Sequence, residues 1–160
     1  MVYNLASKWL KMHIDLQLYE KQPVITDKVY CVNDIDNLPK EQVQFALDNF
    51  EKKYDWTQWT IEDAEKRFRE KWNLYLMETE DSSIIGWTWI SFEGEVLNAY
   101  SNHDFKHYFS DKEDITDILA NFFHNNSKEL GYKKLFAKIE DWNRASLDWA
   151  VRNWWVYDED

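Results

Sequence analysis

Glu93 and Glu95 stand on either side of Gly94, just ahead of an apolar run, Val96-Leu97. Two carboxylates so placed have the chemistry of a general base. The commoner role of such residues is a solvated turn, because carboxylates are mostly exposed. Asn98 and Tyr100 follow two residues apart, so on a strand they share a face and would line one side of a cleft. His103 and His107 have the i, i+4 spacing that binds a divalent metal on a helix. Ser101-Asn102 reads as loop and no third ligand is identifiable, so no metal site is expected. Asp111-Lys112-Glu113-Asp114-Ile115-Thr116 then leads into a long apolar-periodic segment. Asp114 has the type and position of an N-cap, with Asp117 in the first turn, where a helix favours negative charge.

These residues need elements to position them. Lys28 to Val32 reads as a strand, and Pro39 opens a helix whose stripe is Val43, Ala46, Leu47, Phe50 and Tyr54. Thr60-Ile61-Glu62-Asp63 resembles a capping box at the start of another helix. Strands are expected at Leu74–Thr79, Ile84–Phe92 and Val96–Tyr100, joined by links short enough for antiparallel hairpins. Ile115 to Leu130 is the clearest helix, and Gly131 is a natural residue to end it. A strand at Leu135–Ile139 and a helix at Asn143–Trp154 complete the order. Residues 1–22 fit two periods. Leu5, Trp9, Met12, Leu16 and Tyr19 recur at helical spacing with Asn4 as the cap, whereas Met12, Ile14, Leu16 and Leu18 alternate. The helix is the favoured reading.

The whole is expected to be one α+β domain over 1–160, with a mixed, mostly antiparallel central sheet flanked by helices. The long helix between the strands at 96–100 and 135–139 is a crossover of the kind that parallel pairing requires, so these two are expected to be parallel neighbours. The strand at 135–139 would then need residues 155–158, the N-terminal segment or a partner subunit over its edge. Trp154 and Trp155 adjoin, so one of them must point away from the core and is a candidate anchor for a homodimer.

Composition limits the partners. The chain has 160 residues, with 30 Asp+Glu against 19 Lys+Arg and a formal charge of −11. Such a field repels phosphate backbones and anionic headgroups, so neither nucleic acid nor membrane is an expected partner. With 18% aromatic residues the chain can build a core. Its single cysteine, Cys31, excludes an internal disulfide. Without a leader or a run of about 20 apolar residues, the expected compartment is the cytoplasm.

The element order from about 28 to 157, with 1–27 as an N-terminal extension, resembles the GNAT N-acetyltransferase superfamily. Leu135-Phe136-Ala137-Lys138-Ile139-Glu140 followed by Asn143-Arg144-Ala145-Ser146 is similar to that family's fifth strand and the start of its fourth helix. Gly131 and the Asp34–Pro39 turn match as well. The resemblance implies an acetyl-CoA-dependent transfer to a small-molecule or peptide amine, with Glu93 or Glu95 as base and Tyr100 in the site. By position, Asp111, Lys112, Asp114, Thr116 and Asn143 correspond to the cofactor-binding residues. The family's phosphate loop is built on glycines that let backbone N–H groups and a helix N-terminus hold pyrophosphate. Here both glycines are missing and three carboxylates stand in the loop. Ala150 occupies the place of a frequent tyrosine, and Trp154-Trp155 that of a Gly-Phe pair. Two functions therefore stay open: an N-acetyltransferase with an unorthodox loop, or a non-catalytic binding or assembly module that has lost acetyl-CoA.

Overall fold

The computed structural model describes residues 8–50 and 58–158. Asn4, Leu5 and Tyr54 lie outside these. Seven strands and four α-helices run in the order β1 (Trp9–Asp15), β2 (Val29–Val32), α1 (Lys40–Asn49), α2 (Ile61–Arg69), β3 (Asn73–Glu78), β4 (Ile84–Ile90), β5 (Val96–Ser101), α3 (Ile115–Glu129), β6 (Lys134–Glu140), α4 (Arg144–Arg152) and β7 (Val156–Tyr157) among the described residues. The strands form two groups, β2-β3-β4-β5 and β6-β1-β7, antiparallel throughout.

The N-terminal segment is a strand, not the helix that its spacing favoured. β1 pairs along its whole length with β6, from Trp9 opposite Glu140 to Asp15 opposite Lys134. Its other edge carries β7. The reason is burial: Met12, Ile14 and Leu16 are 0–2% exposed, while Trp9 is 56% exposed. A helix would have buried Trp9 and turned Ile14 outward. The edge of β6 is thus covered by the N-terminal segment, one of the three expected solutions.

The expected parallel pairing of β5 with β6 does not form as a ladder: the two strands belong to different sheets, and the chain reaches β6 only just ahead of β5. Among the described residues a single parallel bridge links the two sheets. Glu95 bridges Phe136, and the Phe136 N–H donates to the Gly94 carbonyl at 3.0 Å. Beyond this bridge the hydrogen-bonded ladder stops, which is why the strands divide into two sheets instead of one.

Gly94 sits at that junction with φ +100°, and a Cβ added there would lie 2.7 Å from the Lys134 carbonyl oxygen. Gly131 has a similar φ of +94° with nothing within 4 Å. The two glycines separate strain from crowding. Gly131→Ala should cost about 1 kcal/mol from backbone conformation alone. Gly94→Ala should cost roughly 2 kcal/mol more, because β6 must move away. Urea denaturation of both variants checks this, and equal losses would contradict it.

Two cores result. Sheet β2–β5 packs one face on α3, through Tyr75, Met77, Ile85 and Ile90 against Ile118, Leu119 and Phe123. Its other face packs on α1 and α2, through Leu74, Leu76, Trp87 and Trp89 against Val43, Leu47, Trp59 and Ala64. Trp59 stands edge-on to Trp87 and Trp89 at 88° and 86°. The local signals behave as expected. Thr60 and Asp63 form a capping box at α2, and Asp114 caps α3 by accepting from the Thr116 N–H. Of the adjoining tryptophans, Trp155 is buried (2%) and Trp154 is exposed (54%).

Candidate functional site

The loop that follows β5 leads into the N-terminus of α3, which Asp114 caps. In that loop a phosphate would need unpaired backbone N–H groups. The loop uses them itself. Ser110 Oγ accepts from the N–H groups of Lys112 (3.0 Å) and Glu113 (3.3 Å). The Lys106 carbonyl accepts from the Ile115 N–H at 3.0 Å. Asp114 Oδ1 accepts from the Thr116 N–H and the Thr116 hydroxyl, each at 2.8 Å. The Asp117 N–H donates to the Asp114 carbonyl at 2.9 Å. Five N–H groups at the turn into the helix thus have protein acceptors.

The charges follow the same pattern. Asp114 lies 3.9 Å from the Lys106 ammonium, and Asp117 takes the Arg152 guanidinium at 2.8 Å. Asp117 also accepts from Asn153 Nδ2 at 3.0 Å, which ties the start of α3 to the end of α4. The Thr116 carbonyl accepts from the Trp149 indole. Asp111 and Lys112 are exposed. Asn143 serves α4 as its N-cap, accepting from the Ser146 N–H at 3.2 Å.

The residues expected to act together on a substrate lie along the β4–β5 turn and β5. Glu93 is exposed in the β4–β5 turn. Glu95 is half-buried, and its backbone is engaged with Ser91 and with the β6 bridge. Tyr100 packs on Trp87 at 4.7 Å and Phe50 at 5.0 Å, on the sheet face opposite α3. Asn98 reaches Arg67 of α2 and Tyr100 packs on Phe50 and Trp87, so both lie on this face, although a bulge and not regular strand spacing puts Asn98 there. His103 and His107 lie in an exposed turn after β5, and no group of three metal-ligating side chains occurs among the described residues.

A constellation that the sequence reading missed lies on this α1/α2 face. Trp87 pairs with Tyr100 and Trp89 with Leu97, so Asn98 and Ala99 on β5 oppose Thr88 alone. That bulge puts Asn98 at φ 53°, a conformation that asparagine tolerates better than most residues. Asn98 Oδ1 accepts from Arg67 Nη1 at 2.8 Å. The Arg67 guanidinium carbon is 4.7 Å from the centre of the Trp72 ring and 5.0 Å from that of Trp89. Arg67 and Asn98 are 31 positions apart, and no local motif joins them.

The fold defined by these elements is α+β and GNAT-like, with mostly antiparallel strands flanked by helices. Comparison with solved structures agrees. The chain is similar to a Drosophila protein solved by structural genomics, at 13% identity and TM-score 0.67, over 96% of this chain and 49% of that one. It is similar to a GCN5-related N-acetyltransferase from Sphaerobacter thermophilus, at 12% identity and TM-score 0.61, over 94% and 48%. A conserved Staphylococcus epidermidis protein of unknown function matches at 12% identity and TM-score 0.52, over 96% and 60%. The chain therefore spans about half the length of the first two. No protein-family model matches it, and no curated protein sequence does. No helix among the described residues is long and apolar enough to cross a membrane.

Proposed function

We propose that this chain is a GNAT-fold binding module that does not hold acetyl-CoA through its α3 loop. One observation carries the reading: the N–H groups of Lys112, Glu113, Ile115, Thr116 and Asp117 already have oxygen acceptors within the protein. A pyrophosphate at this loop would have to displace Ser110 and Asp114, and it would approach Asp111, Glu113 and Asp114. Two like charges about 4 Å apart repel by roughly 1 kcal/mol in water and about 4 kcal/mol at a partly buried site. Several such pairs offset what a helix N-terminus contributes, about 0.3–2 kcal/mol per favourable charge.

The second reading is an N-acetyltransferase acting on a small-molecule or peptide amine, with Glu93 or Glu95 as base. It is favoured by the single bridge between the two sheets, which leaves β5 and β6 without a shared ladder. Calorimetric titration with acetyl-CoA at physiological salt separates the two. The module predicts no saturable heat up to about a hundred micromolar. A 1:1 isotherm in the low micromolar range would overturn it and favour the enzyme.

A further inference from the structure

The chain has four arginines: Arg67, Arg69, Arg144 and Arg152. Three of them are exposed, and each has a carboxylate: Glu65 for Arg69, Asp148 for Arg144 and Asp117 for Arg152. Arg67 is the partly buried one. No carboxylate among the described residues lies within 4.0 Å of it, in a protein with 30 Asp and Glu. Buried charge is ordinarily paired, so the arrangement is the reverse of what stability alone would select. Burial lowers the Arg67 pKa; Asp63 and Glu70 raise it from a distance, without salt-bridge contact.

The guanidinium is also held in place. Asn98 fixes one Nη from a strand bulge, and Trp72 and Trp89 fix the plane through their rings. A preformed planar fork, with Nε and the other Nη bonded to no described residue, matches a carboxylate. Trp72 is itself only partly buried and offers a flat apolar wall next to that fork. One guanidinium balances one negative charge. A phosphate would bring nearly two, beside Asp63 and Glu70 and in a chain of net charge −11.

We propose that Arg67, with Trp72 beside it, binds the carboxylate of a small organic acid bearing an apolar group. The inference does not depend on whether the α3 loop holds acetyl-CoA, because Arg67 lies on α2 and faces the opposite side of the β2–β5 sheet. Sodium benzoate is the probe, titrated into 15N-labelled full-length protein at constant ionic strength, with benzyl alcohol as the uncharged control. The Arg67 Nε–H and the Trp72 indole N–H are the reporters. Benzoate should shift both saturably, and benzyl alcohol should leave the Arg67 signal in place. Arg67→Lys keeps charge and stem but loses the fork, so benzoate affinity should fall about tenfold or more. The absence of a saturable Arg67 shift would overturn the proposal, as would an equal response to benzyl alcohol. Unchanged benzoate affinity in a folded Arg67→Lys protein would do so as well. The two wild-type titrations decide the matter even where that variant fails to fold.

Discussion

Between pH 7 and pH 5 the protein should lose about 2 kcal/mol of unfolding free energy through one side chain, His124. His124 is fully buried in α3, in edge contact with Tyr19 and Phe123. Its Nε2 accepts from the Trp155 indole N–H at 3.0 Å, so the ring must be neutral there, with the proton on Nδ1. That Nδ1 is buried without a partner among the described residues. Burial pushes the pKa down to about 3. Below the ordinary value near 6.5 the unfolded chain takes up a proton that the folded one refuses. Stability is therefore complete above about pH 6.5 and falls as pH drops from there towards 3. Denaturant titrations at pH 7, 6 and 5 measure the slope, and the same series on His124→Gln isolates it. Glutamine keeps an acceptor for Trp155 but cannot charge, so the difference between the two proteins should shrink steadily with falling pH. A pH-independent difference would contradict the assignment.

Ile14→Asp should unfold the protein or cost more than about 4 kcal/mol, whereas Trp9→Ser should change stability by less than about 1 kcal/mol. The contrast is unusual, since tryptophan is the larger apolar residue. It follows from β1 being the middle strand of its sheet. Ile14 points into the core opposite Leu135 at 2% exposure, and Trp9 sits on the open face opposite Glu140. A carboxylate at Ile14 would be buried in an apolar cluster that includes Met12, Leu135 and the inner face of α3. β6 and β7 both pair with this strand, so its loss would release both. Thermal unfolding of the two variants suffices. A larger loss for Trp9→Ser would restore the helical pattern that the N-terminal spacing suggested.

The same two residues mark where sequence reasoning stops. Met12 and Leu16 belong to both the helical and the alternating pattern; within β1 it is Trp9 and Ile14 that distinguish them, and the sequence itself does not say which is buried. The deciding partner, β6, lies over a hundred residues downstream. Pairing at that distance leaves no trace in local periodicity. The Arg67 site was illegible for the same reason. Its parts come from α2, the segment after it, β4 and β5, and the bulge that aims Asn98 appears only when β5 is laid against β4.

What the sequence by itself determined is whatever its own neighbours decide. Asp114 and Gly131 bound α3 because a cap and a left-handed residue act within one turn. Thr60 and Asp63 start α2 by a reciprocal bond across three residues. The carboxylates at 111, 113 and 114 were plain in the sequence, and so was the choice that one of two adjoining tryptophans must face outward. The tertiary structure decided which tryptophan it was. It also decided that the acidic loop closes on Ser110 and Asp114, and that the Arg67 guanidinium lies against two indole rings with no carboxylate of the described residues in contact with it. These depend on which surfaces meet, and burial, unlike capping, is a property of the assembled chain.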